Sequence, residues 1–152
     1  MKSHYLKEQF DKIDQNVQKI RKLAINNEEL APILTSYFIV FVCGIYENIV
    51  EDLFTQRAAK TGDPEIENFI RELMSTYFRS PSYEQIKNLV KRLKGETYKL
   101  KTDPKSIDGL SWIVSNRKKV AHGEYSDATF GECVIWHNNA IKIFEELENI
   151  LL

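Results

Sequence analysis

The sequence contains few of the residues that interrupt or cross-link a fold. Its 152 residues include six glycines, four prolines and two cysteines. Cys43 and Cys133 lie far apart in apolar segments, and neither belongs to a Cys-x-x-Cys pair or to a metal-ligand spacing. We therefore predict two buried free thiols in a reducing compartment rather than a disulfide or a zinc site. No metal and no cofactor are expected.

Several motifs of common enzyme classes are also missing. The chain has no Gly-x-x-x-x-Gly-Lys phosphate loop, no Gly-x-Gly-x-x-Gly, no His-Glu-x-x-His and no Gly-x-Ser-x-Gly. Its polar, charged N-terminal segment does not predict a secretory signal. The longest apolar run, residues 37–45, is nine residues long, whereas a membrane span needs about 20. We expect a soluble, cytoplasmic protein with no membrane partner.

Charge is almost balanced overall but unevenly distributed. The net charge is −1, yet residues 87–119 contain ten Lys or Arg against three acids. Such asymmetry is an electrostatic argument about partners, and a polyanion such as RNA would be drawn to this third of the chain. The alternative is that these basic residues only solvate helix faces.

The main positive signal is helical periodicity. Apolar residues recur at spacings of three and four, and no strand run with hairpin turns is visible. Helix starts and stops divide the chain into segments at about 3–26, 31–60, 63–77, 82–95, 103–123 and 129–152. Gly109 is expected to delay or bend the fifth helix. We predict an all-α fold, an up-and-down bundle of about five to six helices forming a single domain over residues 1–152.

The second predicted helix has no polar face in its middle. Residues 37–46 are almost all aromatic, aliphatic or β-branched, so a buried strand is a competing interpretation, although length and later spacing favour a helix. A helix that is apolar all round must be covered all round. In so small a domain a second subunit could supply that cover, and we predict a homodimer.

The three histidines differ in their surroundings. His4 lies near a terminus and is interpreted as incidental, and His137 as an ordinary core or surface histidine. His122 stands in the last turn of a predicted helix that Gly123 would end, and Arg117 precedes it. Last-turn carbonyls favour an imidazolium, whereas Lys118 and Lys119 oppose it.

Arginine and histidine together suit chemistry on a phosphate, because one keeps its charge and the other exchanges a proton near neutral pH. Five residues advance about 500° around a helix, which separates Arg117 and His122 by about 140°. One helix therefore cannot easily aim both groups at one phosphate. Two helices related by a dimer axis could do so.

Two segments resemble a known family. Residues 117–123 read Arg-Lys-Lys-Val-Ala-His-Gly and match the Arg-x(4–6)-His motif of HEPN domains, with their frequent Ala-His-Gly ending. Residues 37–50 resemble the apolar second helix of these domains, in which a glutamate, here Glu47, follows an aromatic residue. The order of helices is similar over nearly the whole chain. The closest resemblance is to the RiboL-PSP-HEPN branch.

The resemblance implies a metal-independent endoribonuclease, of a toxin or defence type, that cleaves RNA at a composite dimer site. Arg117 and His122 would be catalytic, and the RNA 2′-OH would be the nucleophile. Glu47 would orient one of them or form an ion pair. Asn116 and Lys118 are expected to support the site, although many active members have a polar residue such as Asn where Lys118 stands.

The predicted partners follow from the uneven charge and from the same resemblance. Lys91, Arg92 and Lys119 are the predicted RNA contacts, and an antitoxin or regulatory protein is a candidate partner. Members paired with a nucleotidyltransferase antitoxin often carry a tyrosine two residues after the histidine, where this chain has Glu124, so that partner is doubtful. The alternative function is a catalytically inactive RNA-binding or dimerisation module.

Overall fold

The computed structural model describes residues 3–152, which form six α-helices and no strand in this range. The helices are α1 (His4–Ala24), α2 (Ala31–Ala59), α3 (Pro64–Tyr77), α4 (Tyr83–Lys94), α5 (Pro104–Ala121) and α6 (Phe130–Leu151). The predicted all-α bundle is confirmed, and so is the helical interpretation of residues 37–46.

Five of the six helices begin at a side-chain cap. The side-chain oxygen of each capping residue accepts an N–H from the first turn, at Ser3, Asp63, Ser82, Asp103 and Thr129. Each such cap typically stabilises a helix by about 1 kcal/mol. Thr129 and Glu132 complete a reciprocal capping box at the start of α6. Local sequence therefore determines where these five helices start.

The helix α5 begins at Pro104 and runs unbroken through Gly109, so the delay of the helix that was expected at this glycine does not occur. Gly109 is buried against α6, and a Cβ at this position would lie 2.6 Å from the backbone oxygen of Trp136. The missing side chain lets α5 and α6 approach closely. This close packing holds the fifth helix, and the motif at its end, against the body of the bundle.

The core is built around α2 and α6. Tyr46 and Phe144 are fully buried, with ring centroids 4.4 Å apart. His137 is also buried, and its Nδ1 lies 2.7 Å from the Tyr46 hydroxyl. Burial raises the pKa of Tyr46 well above its usual range, so the hydroxyl keeps its proton. His137 is thus a core histidine, one of the two roles that the sequence allowed.

Both cysteines are free and buried, as predicted. Burial raises the pKa of each thiol, Cys43 and Cys133, to about 12. Neither is a thiolate at neutral pH, and the thiolate is the nucleophilic form. The two cysteines therefore act as small core side chains.

The helix α2 has one covered face and one open face. Ile33 and Tyr37 are each 52% exposed and Val40 is 46% exposed, although all three are apolar. They lie on one side of the helix because their spacings are four and three. By length and composition α2 could cross a membrane, with a window of mean hydropathy 1.7, but half of that window is buried by the other helices. Core helices meet the same criterion.

Candidate active site at the end of α5

His122 lies at the C-terminal end of α5. It is the C-cap residue, and its backbone N–H donates to the carbonyls of Lys118 and Lys119 at 3.2 and 3.0 Å. Gly123 follows with a φ of 78°, the left-handed conformation that ends many helices. The side chain of His122 is exposed. The helix therefore ends at His122 and Gly123, as expected from the sequence, and the imidazole lies in solvent.

Arg117 points away from this end toward α2. One guanidinium nitrogen lies 3.5 Å from Oε1 of Glu47, and both side chains are partly buried. Burial raises the pKa of Glu47, and the attraction of Arg117 only partly opposes that rise. Glu47 therefore forms the ion pair considered for it, and this pair places it to orient Arg117 rather than His122. The pair ties the middle of α2 to the last turns of α5.

Within one chain, the side chains of Arg117 and His122 lie in different surroundings. No hydrogen bond or ion pair joins Arg117 to His122 among residues 3–152. Arg117 faces the body of the bundle at Glu47, whereas His122 extends from the helix end. This arrangement agrees with the wide angular separation calculated from the helix period.

Asn116 connects α5 to the loop that follows the motif. It is only 3% exposed. Its Nδ2 donates to the Trp112 carbonyl at 2.9 Å, and its Oδ1 accepts from the Ser126 hydroxyl at 2.7 Å. The same hydroxyl accepts the Ala128 N–H at 3.1 Å. Asn116 is thus placed to support the site through the loop rather than by touching a ligand.

The two lysines of the motif differ. Lys118 is exposed. Lys119 pairs with Asp127 at 2.5 Å, and this hydrogen bond raises the pKa of Lys119. Because the pair is largely exposed, it contributes little to stability. Lys119 remains near the motif, with a neighbouring carboxylate that a phosphate would have to displace.

The other two predicted RNA contacts lie on α4. The Nζ of Lys91 lies 4.0 Å from Oε2 of Glu96, which is the longest distance counted as an ion pair. Arg92 is exposed, but it also borders an apolar cavity of about 450 Å³ between α2, α3 and α4. This cavity includes Phe54, Met74 and Leu89. The contacts of Lys91 and Arg92 do not involve the motif residues, so the structure does not join the two regions directly.

Sequence reasoning missed two features beside the motif. Trp112 and Trp136 stack at a centroid distance of 5.3 Å, and Ser126 anchors the loop through Asn116. The stack could have been suspected from the two tryptophans of neighbouring helices.

Residues 3–152 contain no group of three or more His, Cys, Asp or Glu side chains arranged to hold a metal ion.

Fold and site together define a HEPN-type helical domain, with an Arg-x4-His motif at the end of its fifth helix. The family model described as RiboL-PSP-HEPN matches residues 4–152, and the chain belongs to this family. No curated protein and no solved structure matches the chain. The family suggests a ribonuclease or a nucleotide-binding module, and HEPN domains often bind RNA and dimerise.

Proposed function

We propose that the protein is a metal-independent endoribonuclease of the toxin or defence type, active as a homodimer. The observation that carries the proposal is the exposed imidazole of His122 at the end of α5. Arg117 lies earlier on the same helix and is positioned by Glu47 of α2. These are the residue types that move a proton and stabilise charge on a phosphate. Their positions coincide with the Arg-x4-His motif of a HEPN domain.

The chemistry needs no outside nucleophile. The 2′-oxygen of a ribose attacks the adjacent phosphorus, and its proton passes to a base. The bond from phosphorus to the 5′-oxygen breaks, and that oxygen takes up a proton, which leaves a 2′,3′-cyclic phosphate and a 5′-hydroxyl. His122 is the proton carrier. Arg117 stabilises the negative charge that develops on the phosphate oxygens.

The open face of α2 supports the homodimer. Ile33, Tyr37 and Val40 expose apolar surface along it, and the Tyr37 ring stacks on Phe41 at a centroid distance of 6.0 Å. Glu47 continues the same side toward the C-terminal end of the helix, because it lies seven residues after Val40. A partner packed on this face would therefore lie beside the Arg117–Glu47 pair.

Gly44 adds a second argument for that interface. It lies in the middle of α2, where glycine costs about 1 kcal/mol relative to alanine. A Cβ at Gly44 would meet nothing within 4 Å. Packing inside one chain therefore gives no reason for a glycine there. Close approach of a second α2 would give one.

The test of the reaction uses purified protein, single-stranded RNA and EDTA. We expect cleavage that leaves 2′,3′-cyclic ends. The cleavage rate of His122→Ala should be lower by roughly 10²- to 10⁴-fold, the usual contribution of general acid–base catalysis. His4→Ala is the matched control, because His4 is an exposed histidine at the start of α1. Equal activity of His122→Ala and wild type would refute the assigned role.

Mixing inactive variants tests the shared site. If each cleft uses an arginine from one protomer and a histidine from the other, heterodimers of Arg117→Ala and His122→Ala keep one intact set and regain part of the activity. If each cleft needs both copies of either residue, no activity returns although the variants still associate. A protein that stays monomeric at micromolar concentration while cutting RNA would exclude the composite site.

The RNA surface is proposed to extend to Lys91, Arg92 and Lys119. Reversing Lys91 and Arg92 together to Glu should weaken RNA binding and flatten its salt dependence, because fewer counterions are released. Arg21 and Lys22, in the last turn of α1, give a matched control pair, since Lys91 and Arg92 occupy the last turn of α4. Equal effects from both reversals would indicate attraction by overall charge alone.

A catalytically inactive RNA-binding or dimerisation module is the second candidate. Lys118 stands where many active HEPN members have a polar residue such as Asn, and this departure favours the inactive module. A folded, dimeric wild-type protein that binds RNA and cuts none of it in EDTA would establish this function instead. Toxicity on expression provides an independent readout, since only an active ribonuclease should arrest growth.

A further inference from the structure

The two tryptophans of the chain form a single stacked pair at the surface. Trp112 of α5 and Trp136 of α6 have ring centroids 5.3 Å apart and an angle of 11° between their planes. Trp112 is 52% exposed despite its large apolar ring, whereas Trp136 is partly buried. One indole therefore lies outermost, and the other supports it from the side of the bundle.

The surrounding backbone holds this stack in place. Gly109, one turn before Trp112, allows α5 to approach the Trp136 carbonyl closely. On the other side, the Trp112 carbonyl accepts a hydrogen bond from buried Asn116 at 2.9 Å. These contacts therefore fix the backbone that carries the indoles. A preorganised aromatic surface loses little entropy when it binds a planar ligand.

Basic residues continue the line of Trp112 along α5. Lys105 precedes it by seven residues and Lys119 follows it by seven. Seven residues turn about 700°, so the three side chains lie within about 20° of one line and about 10.5 Å apart along it. Lys105 is exposed and Lys119 partly so. His122 is ten residues beyond Trp112, about 15 Å along the axis.

We propose that Trp112, backed by Trp136, is a stacking platform for an unpaired base of single-stranded RNA beside the His122 site. The inference rests on the proposed function only for RNA as the ligand. Aromatic side chains with flanking cations are the usual means of holding single strands, because every base has a π-face. A base held there would position the strand along α5 toward the helix end.

Two carboxylates direct the path of the strand. Asp108 lies one turn before Trp112 and is exposed, so it disfavours a phosphate at that end. Asp127 pairs with Lys119 but is itself highly exposed, and the pair can open at little cost. The phosphate backbone should therefore leave the platform toward Lys119 and the motif. Duplex RNA should bind poorly here because its bases are already stacked.

Intrinsic fluorescence gives a direct probe, since the only two tryptophans of the sequence are Trp112 and Trp136. The wild-type protein is titrated with a short single-stranded 2′-O-methyl RNA, which cannot be cleaved because its 2′-oxygen is blocked. We expect quenching on binding. A matched oligonucleotide with abasic positions, which has the same phosphates and no bases, should bind more weakly and quench less.

Three variants separate stacking from packing. Trp112→Ala and Trp112→Leu should each weaken binding of the oligonucleotide by roughly 5- to 150-fold, the range for losing one base stack. Trp112→Phe should retain most of the affinity because it keeps an aromatic face. Trp112→Leu retains apolar bulk, and thermal unfolding verifies that it is folded. Tyr77→Ala is the control, because Tyr77 is an aromatic residue on α3 that is even more exposed than Trp112.

The outcomes distinguish the platform from the ribonuclease. Unchanged binding by Trp112→Leu, or equal binding of the abasic oligonucleotide, overturns the platform even if His122-dependent cleavage is present. Quenching that depends on Trp112, in a protein that cuts no RNA, supports the platform and refutes the nuclease. A changed oligomeric state in Trp112→Leu, with RNA affinity unchanged, would assign the indoles to a protein interface and overturn the proposal.

Discussion

The two faces of α2 differ in what covers them. On the closed face, Tyr46 is fully buried and meets His137 and Phe144 of α6. On the open face, Tyr37 remains about half exposed although it belongs to the same helix. Both faces are apolar in sequence, so composition does not distinguish them. The difference shows that part of the apolar surface of α2 is not used to fold the single chain.

Two glycines make the same contrast. A side chain at Gly109 would collide with the α6 backbone, whereas a side chain at Gly44 would meet open space. Gly109 is explained by packing within the chain. Gly44 has no such explanation within the chain, and the proposed approach of a second α2 would supply one. Substitutions on the closed and open faces should therefore act in different ways.

The largest effect is expected at the closed face. His137→Ala removes a buried ring and leaves the Tyr46 hydroxyl without this partner, so the free energy of unfolding should fall by about 3 kcal/mol. His122→Ala, at an exposed helix end, should change it by less than about 0.5 kcal/mol. Urea unfolding of both variants provides the measurement. Equal stabilities would contradict the assignment of His137 to the core.

A smaller loss is expected where α5 meets α6. In Gly109→Ala the new Cβ would lie 2.6 Å from the Trp136 oxygen, so the helices must separate. Such overpacking typically costs about 1–3 kcal/mol. The same movement should alter the tryptophan fluorescence of the folded protein. A variant as stable as wild type, with an unchanged spectrum, would mean that this helix contact is looser than described.

The substitution Gly44→Ala on the open face should act in the opposite direction on the single chain. Because the added methyl meets nothing, the monomer should gain up to about 1 kcal/mol from helix propensity. Self-association, measured by sedimentation, should weaken because the methyl keeps a second α2 away. Unchanged association would remove Gly44 from the proposed interface, whatever the effect on the monomer.

The smallest effect is expected at Glu47, where the open face reaches α5. Its pKa is raised chiefly by burial, so the folded state holds the proton more tightly than the unfolded state. This contribution is therefore present at low pH and is lost as the pH rises through the raised pKa. The free energy of unfolding of Glu47→Gln should exceed that of wild type by less than about 1 kcal/mol at neutral pH, and the two should be equal in acid.

Unfolding of both proteins across acid to neutral pH tests this sign. Glu84→Gln is a suitable control, because the hydrogen bond to Lys87 lowers the pKa of that exposed carboxyl. A clear loss of stability in Glu47→Gln at neutral pH would show that attraction to Arg117 outweighs the cost of burial.

Much of the fold could be predicted from sequence because it depends on local rules. Periodicity and caps identify all six helices, and Gly123 marks the end of α5. The expected delay of α5 at Gly109 was wrong because helix propensity takes no account of the neighbouring α6, whose backbone leaves no room for a side chain there. The role of Glu47 beside Arg117 was suggested only by the family resemblance, and the burial of Asn116 was not foreseen, because both contacts depend on residues outside the local pattern. A single sequence does not encode such contacts as a visible pattern.

The hydrogen bond between Asn116 and Ser126 has a consequence for protein design. It closes a ring of chain from the last turns of α5 through the loop to the start of α6. The placement of the end of α5 is therefore a property of a helix–loop–helix unit and not of seven consecutive residues, and Arg117 depends in addition on Glu47 of α2. Grafting residues 117–123 onto another helix should transfer the side chains without their placement, whereas a transplant of residues 104–151 would keep the loop contact of Asn116 and lose Glu47, the partner of Arg117.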